Sequence, residues 1–549
     1  MGISSLPIFD SPEIARSRVS EADSLRLRAC ATLEWAAAQL EARRGVCVGA
    51  MLLACLPLVL LMAHAQRLSS DEIYTLRIAQ QPTVAGMIRL SRALDLHPPL
   101  HYFAERVALS LHAPVWLAAR LPSILAGQLT LLAIFLFTAR RLGNLLGLVA
   151  ACVYTVTPAM DFSWSNRPYA LWFLMLATMA LLWRECLPES KRQWMLLALG
   201  LSALLMVMDD MFGLVCLLPF FAAEALRARD RSRMDWPVVS ALLLPSCAGL
   251  LYLDQVSSFA TNTFTPRYLP SMGMSMEMYG DLLTWPVVML LACGIVVHLL
   301  FQERELESAV RMRFAVMERA ELVVMVGIGI VPAVLLMLAA AHHTQFFARY
   351  GACGSVGIAL LAPVMLRRLR FARPVAVLMT AAMLLTAGYR AVADAKIATP
   401  ETRASEAIGV APQQLDALDQ SMPIVVAGAT EFTEMNDREP EDVARRLFYL
   451  TDRTAAQQYS GQTVFETEEQ TVALLGLPGK AEDLQRFLAE HERFYLVGDY
   501  TNAEQWVMRD LLAHGAQMQY RGKFISTTQS DDLYEVSLGR DDVSLAGVQ

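Results

Sequence analysis

Charge is scarce in this chain. Asp, Glu, Lys and Arg make up 18% of its 549 residues, below the usual quarter of a soluble domain. The net charge is −7 and there is no long basic block, which argues against a nucleic-acid partner. Cys-x-x-Cys spacings are absent as well. The nine cysteines (Cys30, Cys47, Cys55, Cys152, Cys186, Cys216, Cys247, Cys293 and Cys353) stand singly in or beside apolar runs, as small packing residues do. The polar C-terminal third has no cysteine, so it has no internal disulfide. It also lacks a phosphate-binding glycine fingerprint, for which "AGATEF" (427–432) is too weak a match. No repeat or low-complexity tract is visible. The first 45 or so residues mix acids with arginines, a stretch too long and too acidic for a cleaved signal peptide. The first hydrophobic segment is therefore expected to stay as an anchor.

Apolar sequence is what the chain has in abundance, with 55% hydrophobic residues and a mean hydropathy of +0.38. A bilayer crossing takes about 20 mostly apolar residues. Runs of that kind lie near 46–66, 115–139, 144–161, 168–184, 193–208, 211–226, 237–254, 282–301, 321–341, 350–366 and 374–392. The segment "PPLHYFAERVALSLH" (98–112) is shorter and carries Glu105 and Arg106 in mid-run.

Lys and Arg are retained on the cytoplasmic side of short loops, so they set the orientation. Arg43–Arg44, Arg140–Arg141, "RECLPESKR" (184–192), "RARDRSR" (227–233), "RMRFAVMER" (311–319) and "RRLRFAR" (367–373) fall in every second connection. This alternation holds only if 98–112 makes no net crossing, and the segment then reads as a helix in the outer interface. The expectation is a mainly α polytopic bundle of about eleven spans, with the N-terminus inside. Residues 1–45 form a cytoplasmic segment, 46–392 the membrane domain with a first outer loop at 67–114, and 395–549 an outer domain. In that last part, β-type runs such as "MPIVVAGA" and "RFYLVGDY" alternate with helical patterns such as "KAEDLQRFLAEH", which predicts a small α/β fold.

With the chain oriented this way, the polar residues that look out of place converge on the outer face. They are Asp71 and Glu72 in "SSDEIYTL", His97 and His101 in "HPPLHYF", Arg120 in "ARLPS", and Arg167 and Tyr169 in "SNRPYAL". Asp209–Asp210 and "HHTQFFARY", with His342, His343, Arg349 and Tyr350, complete the set. Arginine binds phosphate oxygens in a bidentate fork, and a carboxylate can take a proton from an attacking hydroxyl or amine. Such a rim suits a lipid-anchored substrate that carries phosphate.

Each residue also has a plainer explanation. Two acids in an exposed loop are common. Arg120 and Arg349 sit where arginines snorkel to the interface, and Pro98 suits the start of a helix. Asp209–Asp210 reads most simply as a polar turn between two spans. His342–His343 reads as interfacial polarity, and the methionine-rich "SMGMSMEMYG" (271–280) as adaptable packing. A divalent metal on Asp71, His97 and His101 fits by ligand type, but the spacing matches no recognised metal motif.

The ordered series "SSDEIYTL … HPPLHYF … ARLPS … NRPYAL … ARY" resembles the GT-C glycosyltransferases, in the branch of protein O-mannosyltransferases and the aminoarabinose transferase of lipid A. The resemblance covers roughly 46–392. It implies an integral protein of the bacterial inner membrane with a periplasmic C-terminal domain. It also implies transfer of a sugar, with inversion, from a polyprenyl-phosphate donor to an envelope glycan, lipid or protein. Asp71 matches the family's general base, with Glu72 beside it. Arg120 and Arg349 would bind the donor phosphate, and His97, His101, Tyr102, Arg167, Tyr169 and Tyr350 would lie on the substrate side. Two positions depart from the pattern: Asn166 stands where many members have an acid or alanine, and Asp209–Asp210 where many have an aromatic or histidine. A secondary transporter or lipid flippase is the rival reading, and a membrane scaffold is a third. Transporters tend to show repeats and mid-membrane ionisable groups, whereas the spans here are nearly free of charge.

Overall fold

The computed structural model describes residues 12–95, 97–186, 192–252, 269–301, 318–369, 371–398, 415, 418–525 and 530–538. The basic stretch 311–317 and most of 184–192 lie outside the described residues. A long helix, α1 (Pro12–Ala42), leads into α2 (Arg44–Ala65). Three short helices follow: α3 (Ser70–Ala79), α4 (Val84–Leu94) and α5 (Leu100–Leu109). The bundle continues with α6 (Val115–Leu142), α7 (Asn144–Thr155), a 3-10 turn at Pro158–Trp164, α8 (Tyr169–Glu185), α9 (Arg192–Asp209), α10 (Gly213–Cys216), α11 (Leu218–Arg231) and α12 (Trp236–Ser246). It closes with α13 (Met272–Leu300), α14 (Arg319–Ala341), a 3-10 turn at Ala348–Cys353, α15 (Gly354–Leu366) and α16 (Ala372–Ala398).

Every apolar run read from the sequence is helical. Among the described residues seven helices are long and apolar enough to cross a membrane, or eight if the pair Asn144–Thr155 and Pro158–Trp164, bent by 75°, counts as one. The others fall short: α8 has 17 residues, about 26 Å of rise against a hydrocarbon core of about 30 Å, and α11 has 14. Length and hydropathy alone therefore give fewer crossings than the eleven expected from the loop charges. Segment α5 is a ten-residue helix, about 15 Å long and too short to cross.

Ion pairs gather the arginine-rich helix ends at one end of the bundle: Arg140–Glu185 at 2.7 Å, Arg141–Glu321 at 3.1 Å, Arg227–Glu318 at 3.4 Å and Arg373–Glu34 at 3.8 Å. Arg120 lies on the same helix as Arg140 but about 30 Å away along its axis, which puts it at the other end. Between the two ends the helices pack through a continuous apolar core, including Phe135, Phe137, Trp172, Trp183 and Phe220. Small residues allow the closest crossing: a Cβ on Gly357 of α15 would sit 2.3 Å from the Gly329 nitrogen of α14.

The C-terminal domain contains β1 (Ile424–Val426), α17 (Ala429–Arg438), α18 (Glu441–Ala444), β2 (Leu447–Thr451), α19 (Arg453–Ser460), α20 (Glu468–Leu475), β3 (Lys480–Asp483), α21 (Leu484–Glu490), β4 (Arg493–Gly498), α22 (Val507–Ala513), β5 (Gln517–Ile525) and β6 (Ser530–Ser537). Its sheet runs in the order β3-β2-β1-β4-β6-β5, with the first four strands parallel and the last two antiparallel. This is the small α/β fold that the alternating pattern predicts. One apolar cluster joins it to α3, α4 and α5, bringing Ile78, Met87, Leu90 and Tyr102 together with Ile424, Phe432, Met435 and Tyr449.

Candidate active site

The first carboxylate of the Asp-Glu pair faces a hollow and the second is locked into the frame. Both follow from the start of α3. Glu72 is the third residue of the helix, and its Oε2 accepts from the Ser69 backbone N–H at 3.0 Å, as in a capping box. The same carboxylate accepts from Arg120 Nε at 2.9 Å and Arg120 Nη2 at 3.0 Å, and from the Asn166 N–H at 2.6 Å. Arg120 gives its remaining donors to the carbonyls of Ala63, Gln66 and Arg67. Both side chains are buried.

This corrects the expectation for Arg120 and Glu72. All five Arg120 N–H donors are committed to protein acceptors, so none is left for a donor phosphate. The pair bolts α3 to α2, to α6 and to the turn before α8. The sequence did carry the signal, because Ser-x-x-Glu at a helix start is a capping pattern in its own right.

Asp71 points the other way. Its Oδ2 accepts from Arg349 Nη1 at 2.9 Å and lies 3.9 Å from Arg167 Nη2. Among the described residues no protein donor reaches Oδ1. The side chain keeps 37% of its surface exposed, so the group is reachable although protein surrounds it closely. That closeness would push its carboxyl up, but the Arg167 and Arg349 guanidinium groups outweigh burial and hold it below the usual carboxylate range.

Arg167 is the hub behind Asp71. Its Nη1 donates to the Asp71 carbonyl (3.2 Å), Thr75 Oγ1 (3.1 Å) and Asp95 Oδ2 (3.2 Å), while Nη2 meets His97 Nε2 at 3.2 Å. A guanidinium cannot accept, so Nε2 is the bare nitrogen and the His97 proton sits on Nδ1, 3.3 Å from Asp210 Oδ2. Asp210 makes the expected turn by accepting from the Phe212 N–H at 2.8 Å, while its Oδ2 stands near His97 Nδ1 without a hydrogen bond among the described residues. Asp95 was not singled out in the sequence, although it stands two residues before His97.

Aromatic rings wall the hollow. Tyr169 stacks edge-on to His97 with centroids 5.6 Å apart, and its buried hydroxyl has no partner among the described residues. Tyr350 packs on Phe212 at 4.7 Å and lies 6.5 Å from Tyr169. The Arg349 guanidinium rests 4.7 Å from the Phe347 ring centre, and its Nε is unpartnered among the described residues. Arg349 also lines an open cleft of about 150 Å³, together with Pro158, Asp161, Phe162, Met278, Asp281 and Leu282. Asp71 is not part of that lining, and Arg349 touches both.

His97, Arg167, Tyr169 and Tyr350 therefore gather around Asp71, but His101 and Tyr102 do not reach the hollow. His101 Nε2 is hydrogen-bonded to Asn166 Oδ1 at 3.0 Å in full burial, and burial pulls its pKa down to about 4. Tyr102 donates to Asp95 Oδ2 at 2.8 Å and packs in the cluster shared with the C-terminal domain. Glu105 completes this inner knot, accepting from Asn166 Nδ2 at 2.6 Å, and burial raises its pKa well above the ordinary value. Asn166, the departure from the family pattern, thus ties Glu72, His101 and Glu105 together. Among the described residues no group of three or more His, Cys, Asp or Glu side chains is placed to hold a metal.

The profile of the family described as dolichyl-phosphate-mannose-protein mannosyltransferase matches residues 96–252. Two crystal structures of ArnT from Cupriavidus metallidurans, one bound to undecaprenyl phosphate and one in the apo state, superpose with a TM-score of 0.52 each. Each is 13% identical, and the match covers 91% of this chain and 99% of the other. The chain shares the fold of these two ArnT structures. A search of curated protein sequences finds no match.

Proposed function

We propose that this chain is an integral membrane glycosyltransferase. It moves a sugar from a polyprenyl-phosphate donor to an envelope glycan, lipid or protein on the outer side of the bacterial inner membrane. In this reading the bundle crosses the bilayer eleven times. The arginine-rich end is cytoplasmic, and the C-terminal domain is periplasmic.

One observation carries the reading: an accessible carboxylate, Asp71, bonded to Arg349 beside an apolar-walled cleft, in a GT-C fold. The cleft is smaller than a typical small-molecule pocket. It suits a phosphate group and the first carbons of a prenyl chain whose remainder lies among membrane lipids. Arg349, with its unused Nε, takes the phosphate oxygens. The acceptor's oxygen or nitrogen attacks the anomeric carbon from the opposite face. The new bond forms as the carbon–oxygen bond to phosphate breaks, so configuration inverts, and prenyl phosphate leaves with the electron pair. The acceptor proton passes to Asp71.

The lowered pKa makes Asp71 a weak base, one that is ionised before the reaction begins. Its main effect is to orient the acceptor and to hold negative charge near an oxocarbenium-like transition state. Thr75, Asp95 and His97 fix Arg167 beside Asp71, and Arg349 holds the carboxylate itself.

The decisive experiment is transfer from a panel of radiolabelled prenyl-phosphate sugars by purified wild type and Asp71→Asn. Loss of transfer by roughly a hundredfold or more in the variant is expected. Equal turnover by both would remove Asp71 from the mechanism, and lipid movement without transfer would favour a flippase.

A further inference from the structure

The helix that carries Asp71 is held from three sides, and one of those sides is the C-terminal domain. A ten-residue helix is marginal by itself, so its orientation depends on what it is fastened to. Glu72 faces Arg120 and Asn166 of the membrane domain. Asp71 and Thr75 face Arg167. Ser70, Tyr74 and Arg77, at positions i, i+4 and i+7, form a third stripe whose side chains and first N–H bond to the C-terminal domain.

The bonds on that stripe are specific. The Ser70 N–H, one of the free donors at the start of α3, is taken by Glu434 Oε1 of α17 at 3.2 Å, in a buried contact. Tyr74 Oη lies 3.3 Å from Thr433 Oγ1 and 3.3 Å from Glu468 Oε1 of α20. Arg77 pairs with Asp437 at 3.0 Å on the open rim. Beneath them, Ile78 enters the same apolar cluster as Phe432 and Met435. Asp71 directly follows Ser70 in the chain, so the first turn that aims the carboxylate is capped by a residue more than 360 positions away.

We infer that Glu434, with Thr433 and Glu468, positions Asp71: the C-terminal domain completes the frame of the site by capping and docking α3. This inference rests on the proposed function for its catalytic consequence, but its structural half can be tested separately.

The test uses full-length protein in lipid nanodiscs, with Glu434→Ala, Glu434→Gln and Tyr74→Phe. Glutamine keeps an oxygen that can accept from Ser70, and alanine does not. Two quantities are read: steady-state sugar transfer, and amide hydrogen exchange over residues 70–79. Glu434→Ala should lower kcat about tenfold or more with donor KM within about twofold, because Asp71 is misaimed while the donor site is intact. Exchange in α3 should accelerate by about tenfold while α6 and β4 are unchanged. Glu434→Gln should restore both towards wild type. Tyr74→Phe removes a single hydroxyl and should move both in the same direction to a smaller degree, a readout that survives if the alanine variant fails to fold. Unchanged α3 exchange in the alanine and phenylalanine variants would overturn the inference, as would a glutamine variant as impaired as alanine. If wild type shows no transfer from any donor, the proposed function fails, and the exchange data still decide whether the domain holds α3.

Discussion

At the scale of single residues, Asp71 and Glu72 are adjacent carboxylates with opposite fates, and the difference is the partner. Glu72 meets an arginine with no donors to spare, in full burial, so the pair acts as a fastener. Breaking a buried pair strands a charge, which typically costs about 3–5 kcal/mol. Arg120→Ala should therefore destabilise the protein by about that much in thermal or denaturant unfolding, and Arg120→Lys should not restore it, because an ammonium cannot reproduce the fork.

Asp71 instead has its charge held by Arg349 and Arg167 at the edge of a hollow. Its folded pKa is depressed, so ionised Asp71 is favoured above the ordinary carboxylate range and lost only as pH falls through the lowered value. The acid limb of kcat/KM should thus lie below that range. In Arg349→Gln the limb should move up in pH, because one of the two cations favouring the charged form is gone. A pH–rate profile of both proteins checks this, and an unmoved limb would exclude Asp71 as the titrating group.

At the scale of elements, the sequence reads Asp71 and Glu72 as part of a loop, and the structure puts them in the first turn of α3, a helix shared by two domains. The capping pattern Ser69–Glu72 is local. The contacts of Ser70, Tyr74 and Arg77 come from residues far along the chain that no spacing rule brings near. That interface also has a pH dependence. Burial pushes both Glu434 and Glu468 up to about 7. Glu434 is faced by Glu431 and Arg438 of its own helix and by Ser70 and Glu72 of α3, and Glu468 by Tyr74 and Thr433. An acid with a raised folded pKa binds its proton more tightly when docked, so docking is strongest below the ordinary carboxylate range and weakens as pH rises from there through about 7. Protection factors over α3, taken relative to the intrinsic exchange rate at each pH, should be higher at pH 6 than at pH 8, and Glu434→Gln with Glu468→Gln should flatten the difference.

At the scale of the whole molecule, the arginine-rich helix ends and the candidate site occupy opposite ends of one bundle. The proposed topology then places both termini by charge alone. A C-terminal alkaline phosphatase fusion should be active and a C-terminal GFP fusion dark in cells, with the converse after Arg43. The opposite pattern would put Asp71 on the cytoplasmic face, where the proposed reaction has no reason to occur.

The sequence by itself determined the apolar helices, the α/β character of the last third and several of the residues that gather at one end of the bundle. Each is written in composition, period or local order. Only the tertiary structure decided which of those residues are free to act. Arg120, Glu72, His101 and Tyr102 look like ligands in a motif, but the fold uses up their hydrogen-bonding capacity or buries them. Asp71, Arg167 and Arg349 keep an exposed carboxylate or an unused N–H. Whether a donor or acceptor is already satisfied depends on neighbours distant in the chain, and no local pattern encodes that.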